Sequence, residues 1–141
     1  MSELRVTRHL PAPKERVWAA WTDPALLAAW FWPQRFATTA SVDPRVGGAY
    51  RIEGPGGGIS VGGGYRSVDP PQRLEFDWRF DGDAERTRVT VTLSPTDGGT
   101  DLAITHTGFS DDADRDNNVL GWQSCLDRLA AWLAAQPASP D

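Results

Sequence analysis

A chain of 141 residues is long enough for one domain with its own core, and such a chain buries about 68–70% of the surface its unfolded form exposes. Fourteen Lys and Arg against nineteen Asp and Glu leave a net charge of −5 with no long run of either sign, which argues against a nucleic-acid partner. A single cysteine, Cys125, excludes an internal disulfide and a multi-cysteine zinc site, and no stretch approaches the roughly 20 apolar residues of a membrane span or has the apolar run of a signal peptide. The expected compartment is the reducing cytoplasm.

Leu4, Val6, Arg8 and Leu10 alternate with Arg5, Thr7 and His9, which predicts a first strand with Arg8 on its apolar face. Pro13 suits the first turn of a helix that carries Val17, Trp18 and Trp21 at helical spacing. Asp23-Pro24 ends that helix and caps a second, short one running to about Trp30. From Phe36 to Thr107 strand follows strand. The breaks fall at Asp43-Pro44, Gly54 to Gly58, Asp69-Pro70-Pro71, Asp81-Gly82-Asp83 and Asp97-Gly98-Gly99, so that six strands join the first to make seven. Leu74, Phe76, Trp78 and Phe80 mark the apolar side of the clearest strand. A sheet with one apolar face needs a cover, and the segment from about Asp114 to Gln136 supplies it, with Val119, Trp122, Leu126, Leu129 and Leu133 in one stripe. Pro137 stops the helix. One domain over residues 1–136 and a disordered tail over 137–141 are expected.

Five signatures recur in fixed order: Trp21-Thr22-Asp23-Pro24, Trp30-Phe31-Trp32-Pro33, Asp43-Pro44-Arg45-Val46-Gly47-Gly48, Asp69-Pro70-Pro71-Gln72-Arg73-Leu74 and Gly121-Trp122. Over nearly the whole chain they resemble the homologues of the heat-shock-protein-90 ATPase activator, a branch of the START-like (SRPBCC) superfamily. The resemblance implies an α+β, helix-grip fold like that of the birch-pollen allergen, in which a seven-stranded curved antiparallel sheet, with two short helices after strand 1, packs on a long C-terminal helix. It also implies a pocket between sheet and helix. Superfamily members bind lipids, steroids and plant hormones, cyclise polyketides or assist chaperones, so the fold alone does not select a function.

The pocket's own residues are the next evidence. Tyr65, Phe76, Trp78, Trp122, Leu126 and Leu129 are its expected apolar wall, with Trp30 and Trp32 from the dense aromatic segment at its mouth. The same large side chains could instead fill the space as a packed core. Arg8 and His106 share strand parity with apolar neighbours and are the polar groups expected to orient a ligand. His106 also matches a histidine common at this point of the family. The competing reading for each is a satisfied structural group.

Other chemistry is poorly supported. Gly54 to Gly58 and Gly62-Gly63-Gly64 lack the following helix of a phosphate loop, and read as a hairpin and as a strand bend or close backbone approach. There is no Gly-x-Ser-x-Gly elbow, Cys125 reads as a buried small hydrophobe, and the two histidines should face opposite sides of the sheet, so neither a catalytic residue, a metal nor a cofactor is assigned. Three functions stand side by side. The first is a monomeric or homodimeric binding protein for a hydrophobic or amphipathic small molecule, with a stress-response setting among those open to it. The second is a co-chaperone-like domain with a chaperone or other protein partner, although the chain lacks the additional N-terminal domain of the full co-chaperone. The third is a cyclase or isomerase using the same cavity, with His106 as base.

Overall fold

The computed structural model describes residues 2–83 and 85–135. Its elements are β1 (Ser2–Leu10), α1 (Lys14–Thr22), α2 (Pro24–Trp30), β2 (Thr39–Val42), β3 (Ala49–Gly54), β4 (Ile59–Asp69), β5 (Arg73–Phe80), β6 (Thr87–Thr96), β7 (Gly99–Phe109) and α3 (Asp112–Ala135). The strands form one curved sheet in the order β1-β7-β6-β5-β4-β3-β2 with every pair antiparallel. Strands β2 to β7 therefore follow one another as a meander. The chain reaches β1's place beside β7 only by crossing from one edge of the sheet to the other through α1 and α2.

Local chemistry accounts for the boundaries. Pro13 stands at the N-cap of α1, one residue before the first turn, where its carbonyl accepts from Arg16 and Val17. Asp23 lies in extended backbone between the two short helices, and its carboxylate accepts from the amides of Ala25 and Leu26 at 2.9 and 3.3 Å. Pro24 then occupies the first helical position, where an amide would have had no partner. Phe36, expected to begin the run of strands, instead ends a 3-10 turn (Gln34–Phe36) that closes on Ala37 in left-handed backbone (φ 54°). The expected tail, 137–141, and the end of the last helix at Gln136 lie outside the described residues.

The core sits between the concave face of the sheet and the helices. Leu4, Val6 and Leu10 of β1, Leu74, Phe76 and Trp78 of β5, and Leu102, Ile104 and His106 of β7 are buried on the face that Trp122, Cys125, Leu126, Leu129 and Leu133 of α3 cover. The helix packs chiefly on β1, with further contact to α2 and β7. It therefore lies toward one edge of the sheet, and β5 is reached mainly by aromatic side chains. Gly63 allows the sheet to bend there: a Cβ at this position would lie 2.1 Å from the carbonyl oxygen of Asp77, which also accepts from the Tyr50 hydroxyl at 2.7 Å. The predicted close backbone approach is found at this glycine.

Candidate functional site

Because α3 leans toward β1, a cleft of about 290 Å³ opens between its outer flank and β5. Its walls are Phe31 and Trp32 from the segment after α2, Trp78 and Phe80 from β5, and Asn117, Asn118, Gly121, Trp122, Cys125 and Arg128 from α3. The helical residues recur every three or four positions, so one flank of α3 carries them all. Alternation along β5 turns Trp78 into the same space. The Trp78 ring lies 5.0 Å from Trp122 and 6.1 Å from Phe31, both at tilted angles, giving a wall of aromatics in contact. Gly121 keeps the helix side low, since a Cβ built there meets nothing within 4 Å.

Two polar groups of the cleft converge at the α2 end. Arg128 Nη2 donates to the Phe31 carbonyl at 2.8 Å, and the Cys125 thiol donates to the same oxygen at 3.5 Å. Burial pushes the Cys125 thiol up to about 12, against the opposing pull of Arg128, so it is no thiolate near neutral pH. Two donors behind the cleft walls, Arg128 Nε and Trp78 Nε1, are buried and have no hydrogen-bond partner among the described residues, as is true of Trp21 Nε1 and Thr38 Oγ1 elsewhere. Such groups are rare in folded proteins because each forfeits its bond to water.

Beneath the cleft lies a polar chain that begins at Trp122. Its Nε1–H donates to His106 Nδ1 at 3.1 Å, while His106 Nε2 lies 2.6 Å from Thr87 Oγ1 and that hydroxyl donates to the Trp78 carbonyl at 3.2 Å. An indole N–H can only donate, so Nδ1 is the acceptor and Nε2 carries the ring proton. His106 is fully buried, and burial lowers its pKa to about 3, so the ring is neutral. Both nitrogens are committed within the fold, and His106 does not reach the cleft surface.

The sequence-predicted site residues thus separate into groups. Trp32, Trp78 and Trp122 come together around the cleft. Tyr65 and Phe76, with Trp78, border an enclosed void of only about 20 Å³, so the aromatics fill the space under the helix instead of lining a large cavity. Trp30, Leu126 and Leu129 are core residues away from the cleft, and the Trp30 indole donates to the Ala20 carbonyl at 3.0 Å. Arg8 does point to the helix side of β1, but β1 is the sheet edge, and the guanidinium leaves the interior to pair with Asp127 on the exposed flank of α3. His106 is opposite Leu4 and Arg8 is opposite Leu102, so about 13 Å of strand separates them and they cannot orient one ligand head together. The cation of the cleft is Arg128. Sequence reasoning missed it with Asn117 and Asn118, although Asn117 and Asn118 lie four and three residues before Gly121 and Arg128 three after Cys125, all on the flank next to the apolar stripe.

Two other hollows frame this one. A separate hollow of about 180 Å³ shares the side chains of Trp78, Phe80 and Asn118 with the cleft and is bordered by Asp83, Glu85 and Asp114, and Asp111 with those acids raises the Asp114 pKa. A broader hollow of about 420 Å³ lies over Gly62, Gly63 and Gly64 beside Arg51, Arg79 and Arg86. Its charges are largely engaged, Arg51 with Asp81, and Asp77 with Arg66 and Arg88. Among the described residues no group of three or more His, Cys, Asp or Glu could hold a metal ion, and no helix is long and apolar enough to cross a membrane.

A seven-stranded antiparallel sheet closed by a long C-terminal helix, with two short helices after the first strand, defines a START-like, helix-grip domain. The chain belongs to the family described as activator of Hsp90 ATPase homolog 1-like protein, whose profile matches residues 11–134. Among curated proteins no relative matches. Among solved structures, protein CV1439 from Chromobacterium violaceum is 36% identical with a TM-score of 0.81, over 95% of this chain and 98% of that one. The AHSA1 protein from Silicibacter pomeroyi is 28% identical with a TM-score of 0.77, over 94% and 98%. DynU16, a protein in the dynemicin biosynthetic locus, is 28% identical with a TM-score of 0.84, over 96% of this chain and 48% of that one.

Proposed function

We propose that the protein binds a hydrophobic or amphipathic small molecule in the cleft between α3 and β5. The observation that carries this reading is the cleft itself: about 290 Å³, walled by Trp32, Trp78, Phe80 and Trp122, with Arg128 toward one end and Asn117 and Asn118 toward the other. A mostly apolar hollow with a few placed polar groups is the usual form of a small-molecule site, and this one is at the small end of the range. The likeness to a protein in a biosynthetic locus is in keeping with a small-molecule ligand.

Binding is favoured over catalysis by the state of His106. A general base needs a free lone pair within reach of the substrate proton, and the only acceptor nitrogen of this ring is held by Trp122. The cyclase or isomerase reading therefore loses the base that sequence reasoning offered it. A chaperone or other protein partner is the competing class, suggested by the family description.

The neutral fluorophore N-phenyl-1-naphthylamine tests the proposal. Saturable one-to-one binding with quenching of tryptophan emission is expected, because three of the seven tryptophans line the cleft. Gly121→Leu, which places a side chain in the cleft from a position with open space, should abolish it without unfolding the protein. Wild type that fails to bind, or Gly121→Leu that binds as wild type does, would sink the reading and turn attention to protein partners.

A further inference from the structure

The cleft reading leaves its ligand's chemistry open, and the cation in its wall narrows it. Arg128 and Trp78 line the cleft from opposite sides, one on the helix and one on the sheet. The nitrogen Nε of Arg128 and the indole nitrogen of Trp78 are shielded from solvent, and so from the cleft, as are Trp21 Nε1 and Thr38 Oγ1 elsewhere. Arg128 as a whole is half-buried, so part of its side chain stays open to a ligand.

The charge balance specifies the acceptor further. The hydrogen bond that Arg128 Nη2 makes goes to a neutral carbonyl, that of Phe31. Among the described residues no carboxylate forms an ion pair with it. A half-buried guanidinium bonded only to a neutral group is a counter-charge waiting for an anion. At the other end the neighbouring hollow carries Asp83, Glu85 and Asp114, which would repel an anion. The cleft is therefore polar along its length, and it orients as well as holds.

Resting on the cleft reading, we infer that the ligand is an aromatic or other flat apolar acid: its carboxylate, enolate or phenolate oxygen meets Arg128, and its apolar body lies along Trp32, Trp78 and Trp122. The acidic chamber stays outside the anionic end and discriminates against ligands bound in the reverse direction.

Three naphthalenes of one shape test this: 2-naphthoate, 2-naphthamide and 2-naphthylmethylammonium, titrated by tryptophan quenching at pH 7.5 beside N-phenyl-1-naphthylamine. The carboxylate is expected to bind at least about tenfold more tightly than the amide, as fits a charge-assisted hydrogen bond, and the ammonium most weakly. Arg128→Gln should reduce the carboxylate-to-amide ratio to about one, while Arg128→Lys retains part of it. Arg128→Met, which keeps the length of the stem and removes the charge, provides the same test should Arg128→Gln prove unfolded by circular dichroism. Equal binding of carboxylate and amide alongside intact binding of the neutral fluorophore overturns the acid and leaves the cleft. Tightest binding by the ammonium, lost in Asp114→Asn, also overturns the acid and assigns the charged end to the chamber. Failure of all four probes overturns both.

Discussion

The indole of Trp122 donates to His106 Nδ1 across 3.1 Å, and through that bond the helix is tied to the sheet by a group whose protonation state is fixed by its partner. The bond exists only while Nδ1 is unprotonated. Burial and this donor act in the same direction, since a second proton on the ring would face an N–H.

Stability should therefore fall with acidification in a window set by His106. Its pKa is 6.5 when unfolded and about 3 when folded, so between these values the unfolded chain binds the extra proton and the folded one does not. The contribution is complete above pH 6.5 and is lost as pH falls toward 3. Urea unfolding of wild type should show about 2 kcal/mol lost from this residue between neutral pH and pH 5. In His106→Gln that part of the slope should vanish, at the cost of lower stability at pH 7. An unchanged slope would place the acid sensitivity elsewhere.

Gly121 sits in the middle of α3, where glycine is roughly 1 kcal/mol worse than alanine, and nothing sterically requires it. Gly121→Ala should therefore raise the unfolding free energy measured in urea by up to about 1 kcal/mol. A gain in stability together with weaker probe binding, growing worse from Ala to Leu, would mark the glycine as kept for the cleft. A loss of stability in Gly121→Ala would contradict the open space found there.

Gly63 is the opposite case. Its missing Cβ leaves room for the Asp77 carbonyl, and the contact is with backbone, which cannot rotate away. Gly63→Ala should cost about 1–3 kcal/mol in urea unfolding, as for other overpacked sites. A change below 0.5 kcal/mol, on the order of a neutral surface substitution, would show that the strand relaxes freely.

Arg8 and Asp127 form a surface pair, with side chains 37% and 65% exposed. Arg8→Ala should change stability by less than about 1 kcal/mol and leave naphthoate binding as it is. Naphthoate binding that falls tenfold in Arg8→Ala and not in Arg128→Gln would return the ligand's cation to the first strand.

The contrast between these two arginines shows what was legible in the chain. Turns written in Asp23-Pro24, Asp43-Pro44 and Asp97-Gly98-Gly99, the alternation of β5 and the stripe from Trp122 to Leu133 lie within a few residues of one another, and local periodicity located all of them. Parity also assigned Arg8 to the helix side of its strand. It could not supply the partner, because Asp127 lies 119 residues away and the edge position of β1 depends on the whole sheet order. Arg128 was hidden for a related reason. A charged residue beside a buried stripe reads as solvated helix surface, and only the Phe31 carbonyl, 97 residues earlier, draws it inward. His106 was recognised as interior, but its role rests on Trp122 and Thr87, which no spacing rule connects to it. The large inward aromatics were likewise correctly placed on the inner face, and how far they would fill it depends on the packing of Tyr50, Tyr65 and Phe76 against one another.

The strand order carries a kinetic consequence. β1 pairs along its whole length with β7, its residue Leu4 opposite His106, so the first strand made is among the last to find its neighbour. Until β7 is available, Leu4, Val6 and Leu10 have neither a paired strand beside them nor α3 above them. During synthesis the meander from β2 to β6 can assemble early while β1 waits as an apolar, unpaired edge, which is the form of chain most prone to pair with a stranger. Closing so distant a contact makes folding slow for a chain of this size, on the order of milliseconds to seconds.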